Sequence, residues 1–123
     1  FIGSPGMNIL PVNVVGNQAK IGSHSVDLKG SYPDLTGKIE LGIRPEFMSF
    51  NETGVGIPVQ ITGVDDIGRF KIVHANIDNI EVNVVLNEGE SIPSDPKVTL
   101  QTSRTNIYQN DHLVRPLVNV RGT

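Results

Sequence analysis

The residues best suited to metal or acid–base chemistry in this sequence are its three histidines, His24, His74 and His112. A zinc site needs several imidazole, thiolate or carboxylate ligands, commonly at short and regular spacing. The histidines lie far apart on different segments, and no two of them have the spacing of a ligand pair. The pattern predicts ordinary core or surface histidines and no metal site.

Two other short runs match ligand-binding motifs only in part. Asp65 and Asp66 are typical of a turn, where aspartate caps backbone N–H groups, and they lack the further oxygen ligands of a calcium loop. The run Thr36–Lys38 resembles the final residues of a phosphate-binding loop motif. That motif needs glycine where Tyr32 stands and serine or threonine where Ile39 stands. Neither run predicts a ligand site.

Composition narrows the possible functions further. The chain has 123 residues, 10 basic and 13 acidic side chains and a formal net charge of −3, which gives no basic footprint for nucleic acid. It has no cysteine, which excludes disulfides and thiolate ligands. No nucleophile elbow or acid–base constellation is recognisable, so we expect no catalytic residue and no bound cofactor. No apolar run approaches the roughly 20 residues of a membrane-spanning helix.

The elements that position these residues are predicted to be short strands. Apolar residues alternate most clearly over Ile80–Leu86, and turn signals recur at the spacing of sandwiches and barrels. The predicted strands are 8–15, 18–28, 38–44, 57–64, 69–76, 80–86 and 98–102, with a short segment at 107–108. We expect an all-β domain forming a small, partly closed barrel.

Some details of these strands are irregular. Pro11 interrupts the first strand, and a bulge near Gly22 would reconcile two hydrophobic registers in the second. Asp65–Gly68 is predicted to be a turn. The tail, 111–123, either adds a strand or lies along the surface.

The stretch Leu41–Glu46 is the least generic part of the sequence. Pro45 has no N–H to donate and ends the predicted strand, while Arg44 and Glu46 flank it. An exposed ion pair of this kind contributes roughly 0–1 kcal/mol to stability. From the residues alone we expect a structural role at the strand end or at a domain boundary.

Two segments resemble the C-terminal domain of ATP-binding subunits in sugar-importing ABC transporters. Phe1–Asn8 is similar to the segment that follows the nucleotide-binding domain in that family, and Leu41–Glu46 is similar to its next signature. Further similarity over 59–74 and 106–108 extends the resemblance to about residues 1–113. The motif residues that carry it, with a structural or interdomain role implied, are Gly3, Ser4, Pro5, Met7, Asn8, Gly42, Arg44, Pro45 and Glu46.

The resemblance implies a fold and a set of partners. Residues 9–123 would form an OB-fold-like barrel of the transport-associated OB (TOBE) type with irregular loops, after a linker, 1–8, that follows a nucleotide-binding domain. It would be a non-catalytic regulatory and dimerisation domain, with ATP and Mg²⁺ bound only in the missing domain. The implied partners are a second ATPase subunit, the nucleotide-binding domain of the same chain, the membrane subunits indirectly and a regulatory protein. The implied location is cytoplasmic, at the inner face of the cell membrane.

The sequence departs from this family at some positions. Phe47 stands where the family commonly has histidine, so no role of that histidine is carried over. Residues 30–37 and the tail after Arg115 match no motif of the family. The alternative left open is a sensing domain that binds an oxyanion or a sugar in a barrel cleft.

Overall fold

A computed structural model of the protein describes residues 6–51 and 55–117. Gly3, Ser4 and Pro5 of the family motif and the end of the tail lie outside these ranges. The strands are β1 (Asn8–Pro11), β2 (Asn13–Val15), β3 (Gln18–Ile21), β4 (His24–Asp27), β5 (Ile39–Ile43), β6 (Met48–Phe50), β7 (Ile57–Pro58), β8 (Gln60–Asp66), β9 (Phe70–Ile77), β10 (Ile80–Asn87), β11 (Lys97–Leu100), β12 (Asn106–Gln109) and β13 (His112–Val114). Short 3-10 turns cover Pro45–Phe47 and Thr102–Arg104.

The strands form four antiparallel sheets. Their strand orders are β1-β5-β12-β13, β10-β9-β8, β6-β11-β7 and β2-β3-β4. The all-β, OB-like class predicted from the sequence is confirmed, while the backbone ladders do not join into one closed cylinder. None of the helical turns within the described ranges has the length and hydropathy needed to cross a membrane.

All four sheets contribute to one aliphatic core. Leu10, Leu41 and Ile107 enter it from the first sheet, and Val82 and Val84 from β10, all fully buried. The alternation predicted over Ile80–Leu86 is therefore confirmed. Burial of each such side chain contributes about 1.5–3 kcal/mol, which is the main force holding the separate sheets together.

Two of the predicted strands are each divided at one residue. Val12 separates β1 from β2, and its backbone N–H still donates to Ile39 O of β5 at 3.1 Å. Pro11 before it lies in β1, an edge strand, where a missing N–H is tolerated. Val59 separates β7 from β8 in the same way and donates to Pro96 O at 3.1 Å. Each break lets the chain pass from one sheet to another.

The bulge predicted near Gly22 is wrong. Gly22 has a φ of +59° and lies in a turn between the antiparallel strands β3 and β4, with Ile21 paired to His24. The two hydrophobic registers differ because the chain reverses direction. A bulge does occur elsewhere, between Ile61 and Gly63 in the β8–β9 ladder.

The predicted turn at Asp65–Gly68 is shorter than expected. β8 continues to Asp66, and Asp65 pairs with Ile72 within the ladder. Asp66 caps the turn as predicted, because its Oδ1 accepts the Gly68 N–H at 2.8 Å. Asp65 is therefore a strand residue whose side chain stands on a sheet face.

The tail adds a strand. His112–Val114 forms β13 and pairs with β12 after a turn at Asn110 and Asp111, which have φ values of +50° and +71°. Positive φ at both central residues is typical of a two-residue hairpin loop.

Candidate functional site

The two family-motif segments are adjacent in the structure. β1 and β5 are antiparallel neighbours, with Asn8 opposite Ile43 and Ile9 opposite Gly42. The start of β1 and the end of β5 therefore lie side by side at the same end of the first sheet. Segments that are separate in the sequence become one surface region here.

Asn8 is a buried polar residue of this region, with 5% of its surface exposed. Its Nδ2 donates to Asn83 O at 2.8 Å, and its Oδ1 accepts the Asn83 N–H at 2.9 Å. Nδ2 also lies 3.2 Å from Met48 Sδ. Asn83 belongs to β10, the edge strand of another sheet. The Asn8 amide thus replaces a backbone partner and closes the gap between two sheets.

Gly42 is fixed by close packing. A Cβ atom added to it would lie 2.9 Å from Met7 Sδ and 2.9 Å from Tyr108 Cε2. Carbon atoms pack at about 3.5–4.0 Å, so any larger residue would displace one of these side chains. Met7, Gly42 and Tyr108 together form the outer surface of the first sheet near Asn8.

Arg44, Pro45 and Glu46 form the other part of the region. Pro45 is buried and begins the first 3-10 turn, whose closing bond runs from the Phe47 N–H to Arg44 O at 3.0 Å. Arg44 Nε lies 3.0 Å from Glu46 Oε2, with 63% and 44% of the two side chains exposed. The ion pair stands in solvent at the end of β5.

Phe47 is partly buried and packs against the core. The Arg104 guanidinium lies 4.8 Å from the centre of its ring, a cation–π contact. The Phe47 carbonyl accepts the Gln101 N–H at 2.9 Å. This position therefore joins the turn after β5 to the second 3-10 turn.

A polar cluster that sequence analysis missed lies on the β8–β9–β10 sheet. His74 Nε2 is 2.8 Å from Asp65 Oδ2, and His74 Nδ1 is 2.6 Å from Asn83 Oδ1. The hydrogen bond to Asp65 is the main cause that raises the pKa of His74. The alternation of residues along β9 predicts that His74 shares a face with Phe70 and Ile72. That Asp65 lies beside His74 follows only from the pairing register of β8 with β9, which the sequence does not show.

A second polar cluster surrounds Asp78 in the β9–β10 turn. Its Oδ2 accepts the Ser23 N–H at 3.1 Å and the Ser23 hydroxyl at 2.8 Å. These two bonds, aided by His24, lower the pKa of Asp78. Beside it lies an open cleft of about 400 Å³. The cleft is lined mainly by polar side chains: His24, Gln60, Asn76, Asp78 and Asn79.

The three histidines remain separate, on β4, β9 and β13. In the described part of the chain, no three histidine, aspartate or glutamate side chains converge as metal ligands. The His74 cluster joins side chains of three strands, and the Asp78 cluster joins the β9–β10 turn to the β3–β4 turn.

A family model described as the MalK OB fold domain matches residues 3–48, which include residues 3–8 of the first motif segment and all of Leu41–Glu46. The match is to this OB fold domain and does not concern an ATPase core.

Similar proteins are ATP-binding subunits of ABC transporters. An ABC transporter ATP-binding protein of Sinorhizobium fredii is 32% identical over 106 residues, covering 81% of this chain and 28% of that protein. The sn-glycerol-3-phosphate import ATP-binding protein UgpC 2 of Agrobacterium fabrum is 26% identical, covering 100% and 34%. The maltose/maltodextrin import ATP-binding protein MalK of Yersinia pestis is 27% identical, covering 90% and 34%. The chain spans about a third of the length of these relatives or less.

Proposed function

We propose that this chain is a regulatory and dimerisation domain, of the TOBE type, in the ATP-binding subunit of an ABC importer for sugars or related solutes. The observation that carries the proposal is the match to the MalK OB fold domain, which covers residues 3–8 of the first motif segment and all of the second. The pairing of these segments through β1 and β5 supports it, because the match then covers a continuous structural unit.

The proposed role assigns catalysis to another domain. ATP and Mg²⁺ bind in the nucleotide-binding domain of the same subunit, and the chain itself is non-catalytic. The subunit works in the cytoplasm, at the inner face of the membrane, with the transporter's membrane subunits and a second ATPase subunit. A regulatory protein is a further proposed partner. The 123-residue protein should show no ATPase activity, and measurable turnover would contradict this assignment.

The outer face of the first sheet supports the dimerisation role. Ile9 and Leu113 are exposed by 44% and 50%, and Met7 and Tyr108 lie on the same face. Exposed apolar side chains that group on one face are typical of protein–protein contact surfaces. We propose that this face contacts a second copy of the domain.

Sedimentation velocity over a range of concentrations tests the dimerisation role. We expect the 123-residue protein to self-associate and Leu113→Lys to shift it toward the monomer, because a desolvated charge opposes the apolar contact. Val64→Lys is the matched control, since Val64 is similarly exposed but lies on another sheet. A strictly monomeric wild-type protein at high concentration would contradict the dimerisation role.

The polar cleft beside Asp78 favours a second candidate function, the sensing of a small hydroxylated or anionic solute. Asn76, Asn79 and Gln60 offer amide donors and acceptors of the kind that bind sugar hydroxyl groups. Isothermal titration with sugars and oxyanions tests it, with Gln60→Ala as the variant that should weaken binding. Absence of both heat and a thermal shift would remove this candidate.

A further inference from the structure

His74 has a hydrogen-bond acceptor placed at each ring nitrogen. Asp65 Oδ2 on β8 lies 2.8 Å from Nε2, and Asn83 Oδ1 on β10 lies 2.6 Å from Nδ1. A neutral imidazole offers one donor and one acceptor, whereas the imidazolium offers two donors. The arrangement therefore matches the protonated ring, which joins all three strands of the β10-β9-β8 sheet.

The β-bulge in β8 creates this arrangement. The ladder pairs Ile61 with Ala75 and then Gly63 with His74, so Thr62 is the extra residue. Without the bulge, Thr62 would stand opposite His74 and Val64 would take the diagonal position that Asp65 now occupies. Gly63 stands opposite His74, and a Cβ added there would make only an ordinary van der Waals contact, 3.8 Å from His74 Cδ2. Bulges commonly redirect a side chain in this manner.

We propose that His74 is a proton-operated clasp that fastens β8 and β10 to β9. The protonated ring donates to Asp65 and to Asn83 at the same time. After the ring loses one proton, it keeps a single N–H donor. The Asn83 side-chain amide must then flip so that its Nδ2 donates to the deprotonated ring nitrogen Nδ1.

The clasp is connected to the junction between the sheets. The backbone of Asn83 pairs with the Asn8 amide, while its side chain pairs with His74. When the Asn83 side-chain amide flips, the same residue also holds β10 to β1 through its backbone. We infer that protonation of His74 stabilises both the sheet and this attachment.

The charges around His74 set the pH range of the clasp. Asp65 from β8 raises the pKa of His74 most, and Glu81 from β10 also raises it, against the opposing effect of partial burial. A raised folded-state pKa means that the stabilisation is fully present below the unfolded value of about 6.5. It is lost as the pH rises through the folded-state pKa.

An NMR titration of the 123-residue protein tests the clasp, with the histidine signals assigned through His24→Gln and His112→Gln. We expect the His74 midpoint to lie above about 6.5 and the Asn83 side-chain amide to shift with the same midpoint. Asp65→Asn should lower the His74 midpoint. Asp66→Asn is the matched control and should leave it unchanged, because Asp66 caps the Gly68 N–H instead.

The proposal is overturned by a His74 midpoint at or below the ordinary value, by an Asn83 amide that does not follow it, or by equal effects of Asp65→Asn and Asp66→Asn.

Thermal unfolding gives a second test. The unfolding midpoint of the wild-type protein should exceed that of His74→Gln at pH 5.5, and the difference should shrink by pH 8.5. If His74→Gln does not fold, the Asp65 and Asp66 titrations still decide.

Discussion

Asn8 and the Arg44–Glu46 pair lie close together across β1 and β5, yet their surroundings are opposite. Asn8 is buried and makes two hydrogen bonds to the backbone of another sheet. Arg44 and Glu46 are largely exposed and make a single ion pair with each other. In one of the two adjacent motif segments a neutral amide joins two sheets, while in the other the charged residues stay in solvent.

The difference follows from desolvation. Breaking the Arg44–Glu46 pair returns both charges to water, so little free energy is lost. Removing the Asn8 amide takes away the partners of the partly buried N–H and carbonyl groups of Asn83, which costs more than breaking an exposed ion pair. We therefore expect Asn8 to contribute more to the stability of the fold than the more conspicuous charged pair.

The largest effect is expected for Asn8→Ala. We expect it to reduce the free energy of unfolding by about 2–4 kcal/mol, because two backbone groups lose their partners and a small cavity forms. Chemical denaturation followed by circular dichroism measures this change. Asn13→Ala, at an exposed position of β2, is the control and should change stability by less than about 0.5 kcal/mol. Equal effects of the two substitutions would remove the role assigned to Asn8.

A smaller loss is expected for Gly42→Ala. The added methyl group would press on Met7 Sδ and Tyr108 Cε2, and we expect a cost of about 1–2 kcal/mol, reduced when Met7→Ala is also present. Gly63→Ala is the matched strand control, because its nearest neighbour is an ordinary contact at 3.8 Å. If both alanine variants unfold at the same denaturant concentration, the packing account of Gly42 is wrong.

Asp78 offers an exposed carboxylate that, unlike Glu46, accepts a backbone N–H. Its folded-state pKa is lowered mainly by the Ser23 bonds, so its stabilisation is present above the ordinary value of about 3.8 and is lost as the pH falls through the folded-state pKa. We expect the wild-type protein to have a higher thermal unfolding midpoint than Asp78→Asn at pH 7. The difference between the two midpoints should be smaller at pH 3. Asparagine tolerates the φ of +46° at this position, so the turn is preserved. A difference that does not depend on pH would contradict the role of the charge.

The smallest effect is expected for Arg44→Ala, at most about 0.5 kcal/mol and decreasing with added salt. A double-mutant cycle with Glu46→Ala measures the coupling between the two side chains. If the coupling free energy were as large as the loss of stability in Asn8→Ala, the exposed ion pair would matter as much to stability as the buried amide, contrary to our expectation. If the variant melts normally but the full-length subunit loses transport, Arg44 instead acts at a domain boundary.

The parts of the fold that the sequence predicted are local ones. The alternation over Ile80–Leu86 and the strand end at Pro45 depend on neighbouring residues, and both are present. The turn at Gly22 was mistaken for a bulge because a reversal and a bulge shift the hydrophobic register in the same way along the chain.

The candidate sites depend on contacts between distant residues. Asn8 was recognised only through a family resemblance, since its partner Asn83 lies 75 positions away. His74 was predicted to be an ordinary histidine because the bulge that brings Asp65 beside it is not visible in the sequence pattern. Registers between strands, which the sequence leaves open, decide which polar side chains meet.

The distance of 75 residues between Asn8 and Asn83 also has a consequence for the order of folding. Contacts between distant residues form slowly, whereas the β9–β10 hairpin closes through a two-residue turn. During synthesis, β1 and its ladder partner β5 emerge before β10, so the Asn8 amide has to wait for the backbone of Asn83. A substitution at Asn8 would therefore slow the last docking step and prolong the time during which a growing chain is prone to aggregation.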